Sequence, residues 1–473
     1  MTEPHTGTRA VVLGASMAGL LAARVLAERF GEVVVVDRDT VLGAEGPRRG
    51  VPHGRHAHGL IARGQQILEE LFPGLTAELR AAGAEPGDFN GDIRWYFNGR
   101  RLRPGRSGLV SVPATRPVLE AHVRGRVQAL PNVLFREHTD IVGLSVSSDR
   151  RRVLGARVQP RNRTAPEVID ADLVVDTTGR GSRTPAWLDE LGYRRPDEDR
   201  VKIDLAYTTA HFKLRGDPLG SDVAIIPVAT PAHPRGALLY RVPGRAGCVE
   251  LSLTGVLGDH PPTDPDGFLR YAATLPVPDI HRAVRDAEPL DEPVMFRFPM
   301  SVRRRYERLT RFPERFLVMG DAVCSFNPVY GQGMSVAAQE ALVLRGHVAA
   351  GPAPDARAYF RDIARAVDAP WDFSASADLG YVGVEGRRTA KTKFANAYVA
   401  RLQEAAAHDA VLANSFMRVA GLVDAPATLM SPHRALRVLR HSLRRGPRPD
   451  SGSRRAAAPG PAAASATHDT PDT

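Results

Sequence analysis

The first residues of the chain limit its possible folds more than any other part of it. An apolar stretch from Arg9 to Leu13 runs into Gly14-Ala15-Ser16-Met17-Ala18-Gly19. An Ala- and Leu-rich stretch continues to Arg29, and a second apolar run, Val33 to Val36, ends at Asp37. By periodicity this is a strand, a helix over Met17–Arg29 and a second strand, with turns so short that the two strands are parallel neighbours. Gly14 permits the tight turn, and Gly19 lets the helix lie against the strand. Asp37 follows Gly14 by 23 residues. The N–H groups left free by the turn and the positive end of the helix dipole face a pyrophosphate, while the acid accepts ribose hydroxyls. Ser16 stands where a middle glycine is usual; it is small, and its hydroxyl is a further donor to phosphate. Gly14, Ser16, Met17, Ala18, Gly19, Asp37 and Arg38 are the candidate nucleotide-binding residues. This motif alone does not separate FAD from NAD.

A second signature lies far along the chain. Phe316 to Met319 reads as a buried strand ending in Gly320-Asp321, and Asn327-Pro328-Val329-Tyr330-Gly331-Gln332-Gly333-Met334 leads into a helix reaching about Ala349. Strand, acid, Pro/Gly loop and helix N-terminus together make a cradle for phosphate and for a ring that becomes anionic on reduction. Asp321 would accept from sugar-chain hydroxyls, and the N–H groups of Gly333 and Met334 would stabilise negative charge.

With these stretches, three others carry a family resemblance: Gly50-Val51-Pro52-His53-Gly54-Arg55-His56-Ala57-His58-Gly59, Thr115 to Glu120, and Asp172 to Ser182. The chain resembles the FAD-dependent monooxygenases with a single nucleotide-binding fold, the family of the aromatic hydroxylases and squalene epoxidase. Within it, the chain looks closest to the bacterial flavin epoxidases of polyether polyketides. The resemblance implies FAD as cofactor, with Gly14, Ser16 and Gly19 at its pyrophosphate and Asp37 at the adenosine ribose. Arg116 would lie at the ribityl-phosphate, Asp321 at the ribityl-pyrophosphate, and Pro328 and Gly331 to Met334, including Gln332, beside the isoalloxazine. The loop holding Arg55, His56 and His58 would approach the flavin edge. These three are the candidate catalytic side chains, although histidines in such a loop serve equally well as exposed or capping residues. The aromatic hydroxylases carry an Asp-Gly pair in the middle motif, where this chain has Thr178-Gly179 with Asp176 displaced. NAD(P)H is therefore expected to act either directly or through a separate flavin reductase. Halogenases share this fold, but they require a catalytic lysine and a Trp-x-Trp-x-Ile-Pro stretch; here Trp95, Trp187 and Trp371 are isolated and lysine is scarce.

Stretches near residues 14, 116 and 321 must meet on one FAD, so the 473 residues are not a string of modules. The expected fold class is α/β: a Rossmann-like FAD-binding domain with an inserted antiparallel β-sheet substrate domain and a helical C-terminal part. Residues 1–183 and 301–350 form the FAD-binding domain, 184–300 the sheet domain, 351–445 the helical region and 446–473 a disordered tail. Val201 to Phe298 alternates apolar and polar residues between Pro/Gly turns, as an antiparallel sheet does. Phe212, Tyr240, Phe296 and Phe298 are its candidate pocket-wall aromatics. The tail is rich in Pro, Gly, Ala, Ser and Asp and has few large apolar residues.

Composition excludes other classes. Lys+Arg number 63 against 53 Asp+Glu, a net charge of +10, yet only four of the cations are lysines, and the arginines are spread among acids. That is not a phosphate-binding face, and no nucleic-acid partner is expected. Cys248 and Cys324 form no CxxC and no disulfide framework, and no metal site is expected. No apolar run reaches 18 residues, so no transmembrane segment is expected and the default location is cytoplasmic.

The implied reaction is monooxygenation. Reduced FAD takes up O₂ as a C4a-hydroperoxide and passes one oxygen atom to a small hydrophobic organic substrate, here an alkene of a polyketide or terpenoid intermediate, giving an epoxide. Alternatives are an aromatic hydroxylase, an isoprenoid double-bond reductase, and a non-catalytic flavin- or partner-binding protein. The basic segment from Arg434 to Arg445 could dock a carrier protein or an anionic surface, or be an ordinary amphipathic surface helix.

Overall fold

The computed structural model describes residues 7–444, so the tail expected over 446–473 lies outside the described residues. Strand β1 (Gly7–Leu13), helix α1 (Met17–Leu26) and strand β2 (Phe30–Val36) form the first unit. Ala10 to Leu13 and Val33 to Val36 are buried on both faces, as strands covered by helices on both sides must be. With β3 (Val133–Arg136), β4 (Leu173–Asp176) and β5 (Phe316–Val318) they make a parallel sheet of order β5-β4-β1-β2-β3. In this register Leu13 lies beside Asp176, and Asp176 beside Val318. The loops that leave β1, β4 and β5 therefore emerge side by side at the carboxyl edge of the sheet, where doubly wound folds bind ligands. Two helices begin at that edge: α2 (Arg116–Gln128) and α3 (Gly333–Ala349).

A second, larger sheet runs through strands Val294–Arg304, Glu198–Lys213, Cys248–Gly255, Arg235–Arg241 and Ala224–Pro227, all antiparallel neighbours. It continues into Ile93–Phe97, which pairs in parallel with Ala224–Pro227 although its residues belong to the segment before α2. Alternation gives this sheet two chemically different faces. Ala210, Phe212, Val249, Leu251 and Leu253 form one face, covered by the helices Pro265–Ala273 and Asp279–Val284. Phe212 therefore stacks on Phe268, away from the flavin-binding loops, and does not wall the pocket as the sequence reading expected. The other face carries Tyr207, Thr209, His211, Glu250, Ser252, Leu238 and Tyr240. Helices α4 (Ala356–Asp378), α5 (Ala390–Ala406), α6 (Ala410–Ala420) and α7 (Pro432–Arg444) complete the fold. Their apolar residues Leu402, Phe416 and Val438 share a core with Ile93, Phe97 and Tyr240.

Candidate functional site

The nucleotide turn is built as its sequence demands. Gly14 has φ +102°, and a Cβ there would lie 2.9 Å from the Thr177 carbonyl; a Cβ on Gly19 would lie 1.8 Å from the Gly14 carbonyl. Both positions therefore require glycine. Met17 is buried, and Ala18 touches Gly320, whose own Cβ would fall 2.7 Å from the Ala18 methyl. The first and second signatures thus meet directly. The Asp37 carboxylate accepts from the Ala15 N–H at 2.7 Å and the Asp39 N–H at 2.9 Å, which holds it against the turn. Arg38, next along, is exposed.

Ser16 is the N-terminal cap residue of α1, but its side chain does not cap the helix. Instead Arg116 Nη2 donates to its Oγ at 2.9 Å, and Arg116 Nε donates to Glu120 at 3.0 Å. Glu120 also receives Arg48, through Nε at 3.0 Å and Nη2 at 2.6 Å. Burial favours the protonated form of Glu120, but Arg116 and Arg48 outweigh it and hold the carboxyl below the usual range. Arg48 Nη1 is buried without a hydrogen bond and lies 3.8 Å from Asp37 and 3.7 Å from Asp39. No sequence motif singles out Arg48 or Glu120 as a site residue. The signal was present only as an arginine in a Gly/Arg loop and an acid one helical turn after Arg116.

At the second signature Gly320 has φ +73°, and its N–H donates to Glu340 inside α3. Burial raises the Glu340 carboxyl to about 8. Asp321 follows Gly320 at the sheet edge. Burial pushes its carboxyl up, opposed by the nearby Arg180, Arg116 and Arg304. Pro328 opens a short turn that Gly331 closes at φ +65°, and Gly333 begins α3 with Met334 buried behind it. Gln332 is 1% exposed, and neither its amide oxygen nor its nitrogen has a partner in the protein. A buried amide with both ends unpaired implies a ligand that supplies the missing bonds.

Between these parts, Asp176 is fully used by the protein. It accepts from the Thr178 N–H and Oγ1 at 2.8 and 2.6 Å, Ser182 Oγ at 2.6 Å and Thr184 Oγ1 at 2.5 Å. It knots the loop after β4 and leaves no oxygen for a nicotinamide nucleotide.

The histidine loop lies against the polar face of the large sheet. His56 Nδ1 is 2.9 Å from Thr209 Oγ1, which is 2.5 Å from Ser252 Oγ, and the Ala57 N–H donates to that serine at 3.2 Å. His58 Nδ1 lies 2.7 Å from the His56 carbonyl, and its Nε2 lies 2.9 Å from His53 Nδ1. Burial lowers His53 to about 3 and His56 to about 4, with the charges of Arg116 and Arg55 respectively adding to it; His58 is lowered well below its usual range. All three are neutral at pH 7. The carbonyl contact then fixes the His58 proton on Nδ1, so its Nε2 accepts from His53. Phe296 packs against His53 and His56, and Tyr207 meets His56 edge-on at 4.8 Å. The Arg180 guanidinium lies over the Phe298 ring at 4.3 Å. Arg55 is exposed, and Tyr240 is buried against the C-terminal helices.

One further group arrives from α4. Asp378 is fully buried, and its Oδ1 accepts from Asn327 Nδ2 at 2.9 Å and the Tyr330 hydroxyl at 2.8 Å, while its Oδ2 has no partner. Burial raises this carboxyl to about 7, although both hydrogen bonds oppose the shift. No sequence motif flagged it, because it reaches the Pro328–Gly331 loop only through tertiary packing.

The residues fit FAD. Gly14 and Gly19, which admit no side chain, leave room for a pyrophosphate at a helix N-terminus, with Arg116, Arg48 and Ser16 around it. Asp321 and the unpaired Gln332 amide lie at the second helix N-terminus. The family described as "FAD binding domain" matches residues 7–355. "Protein Rv3254" of Mycobacterium tuberculosis (strain ATCC 25618 / H37Rv) is 33% identical over 448 residues, covering 92% of this chain and 94% of its own. Kynurenine 3-monooxygenase of Salinispora arenicola (strain CNS-205) is 27% identical over 373 residues, 73% of each chain. Among solved structures, the flavin-dependent brominase Bmp2 superposes with a TM-score of 0.62 at 14% identity, covering 93% of this chain and all of that one. At that identity it shares the fold alone. The protein is a flavoprotein oxidoreductase of the monooxygenase class. It belongs to the FAD-binding family of the aromatic-hydroxylase type, and FAD is its cofactor. No helix among the described residues is long and apolar enough to cross a membrane.

Proposed function

We propose that this flavoprotein transfers one oxygen atom from O₂ to a carbon–carbon double bond of an apolar organic substrate, epoxidising an alkene of a polyketide or terpenoid intermediate. When bound and reduced, FAD supplies the activation of O₂. Gly14, Ser16, Gly19, Asp37, Arg48 and Arg116 would hold its dinucleotide part, and Asp321 and Gln332 would hold the part nearest the ring. The carrying observation is the wall facing the flavin-binding loops. Half-buried Phe296 on the sheet packs on His53 and His56, half-buried Phe373 on α4 meets Tyr330 of the Pro328–Gly331 loop edge-on, and the histidines are neutral. Such a wall orients an alkene and keeps water from the reacting atoms, and no protein nucleophile is needed.

A second reading, hydroxylation of an aromatic ring, is favoured by one feature. The His56–Thr209–Ser252 chain can take a proton from a phenolic hydroxyl and pass it on. The likeness to kynurenine 3-monooxygenase supports the same reading. With Asp176 sequestered, NAD(P)H would reduce the flavin through a separate flavin reductase rather than by docking at the middle motif. The test supplies reductase, NAD(P)H and ¹⁸O₂ to the FAD-loaded protein with an alkene and a phenol panel. Labelled epoxide supports the first reading and labelled phenol the second. Anaerobic reduction of a substrate double bond would instead support the isoprenoid reductase, and product without label would overturn both oxygenation readings.

A further inference from the structure

The outer side of α7 carries a feature that neither the cofactor site nor the core uses. Its inner side is docked. Val438 is buried, Arg434 donates to Ser415 Oγ at 2.9 Å and to the Thr428 carbonyl at 2.7 Å, and Arg437 Nε meets Asp409 at 2.9 Å. The outer side is not. Leu436, Leu439 and Leu443 are 46%, 53% and 72% exposed, and Met430, just before the helix, is 53% exposed. The three leucines are spaced i, i+3 and i+7, so they form one line along the helix. His433, Arg437 and Arg440 form a second line about a quarter turn away. No acidic residue occurs from Pro432 to Arg445.

A single exposed leucine is ordinary, but a line of three beside a basic line is the pattern of a helix that rests in a lipid headgroup layer. We propose that α7 docks the protein on an anionic lipid surface. The leucines enter the boundary of the acyl chains, and the exposed Arg440 beside them meets headgroup phosphates. Charge and area argue against a second copy. A second copy packed on this line would bring two basic rows together, and three leucines a side cannot bury the roughly 1,000 Å² that a stable interface needs. A protein partner carrying both acidic and apolar groups would instead leave the chain in the supernatant with either vesicle.

The experiment is co-sedimentation of the full FAD-loaded chain with vesicles of phosphatidylcholine alone or mixed with phosphatidylglycerol. The expected result is sedimentation with the anionic vesicles at low salt, weakened at high salt, and none with phosphatidylcholine alone. Arg440→Gln lowers the partition coefficient about fivefold. The double variant Leu439→Asp, Leu443→Asp stays in the supernatant with the parent's flavin content and melting temperature. A chain lacking residues 446–473 binds as the parent does. Equal binding to both vesicles, binding that persists in the double variant, or binding lost with the tail would overturn the proposal. So would a parent that is dimeric and ignores vesicles while the double variant is monomeric, since α7 would then be an interface between copies.

Discussion

Arg116 Nη2 donates to Ser16 Oγ at 2.9 Å, joining two helix N-termini that are 100 residues apart in the chain. The serine that departs from the usual glycine pattern is thus occupied by the arginine that opens α2, and both face the place of the FAD phosphates. Replacing Arg116 with Gln removes a charge-assisted donor and leaves Glu120 with Arg48 and, at 3.9 Å, Arg124. Flavin titration of the apoprotein should show FAD binding weakened about ten- to a hundredfold. Ser16→Gly loses one neutral partner and restores the usual residue, so its dissociation constant should move by no more than about fivefold. A larger effect at Ser16 than at Arg116 would mean that the hydroxyl, not the guanidinium, is the principal phosphate donor.

Two glycines on neighbouring helices separate steric need from propensity. Gly19→Ala places a methyl 1.8 Å from the Gly14 carbonyl, which cannot move without dismantling the turn. That variant should purify without flavin and melt well below the parent. Gly125 lies within α2, and a Cβ there meets nothing within 4 Å. Gly125→Ala should stabilise the protein by about 0.5–1 kcal/mol, seen as a higher melting temperature with unchanged flavin content.

The parts of the site that were legible in the sequence are those fixed by local backbone need. Gly14, Gly320 and Gly331 occupy turns whose positive φ restricts the residue type, Gly19 lies in α1 where a Cβ would strike the Gly14 carbonyl, and the strand-helix-strand spacing follows from chain length alone. What the sequence did not reveal depends on partners far away. Ile93–Phe97 joins the large sheet by pairing with Ala224–Pro227, more than a hundred residues on, and no periodicity records that pairing. Alternation marked Phe212 and Phe296 as strand residues but could not say which face meets the flavin loops; only the helices Pro265–Ala273 and Asp279–Val284, unread within the alternating segment, assign Phe212 to the far side. Arg48 reaches Glu120 across 72 residues and Asp378 reaches Asn327 across 51.

Asp321 has its carboxyl among Arg180, Arg116 and Arg304, and no side-chain hydrogen bond to it is seen among the described residues. Its acceptor oxygens are free for cofactor hydroxyls. Asp321→Ala should purify largely as apoprotein, measured by the ratio of flavin to protein absorbance. Full flavin occupancy would remove this residue from the cofactor site.

Thr209 is the bridge between His56 and Ser252. Thr209→Val keeps the shape and removes the hydroxyl, leaving His56 Nδ1 without its partner inside a buried site. If the chain carries a substrate proton, the variant should lose about ten- to a hundredfold in kcat with phenolic substrates while KM and flavin content hold. With alkenes, which release no proton, the loss should be small. Equal losses with both would assign Thr209 to positioning the loop.

Asp378 makes pH a probe of the contact between α4 and the flavin-side loop. Burial raises its carboxyl from 3.8 to about 7 in the folded protein, so the folded state holds a proton that the unfolded chain releases near 3.8. Stability therefore falls as pH rises from about 4 to about 7 and levels off above that, a loss on the order of 4 kcal/mol if the shift is fully expressed. Asp378→Asn imitates the protonated carboxyl: its oxygen still accepts from Asn327 and Tyr330, and nothing titrates. The variant should match the parent near pH 4 and exceed it increasingly toward pH 7, with a constant margin beyond. Paired thermal melts across this range measure the difference directly. A margin that does not change with pH would mean that Asp378 is ionised in the folded state and that the unpaired Oδ2 has found a donor.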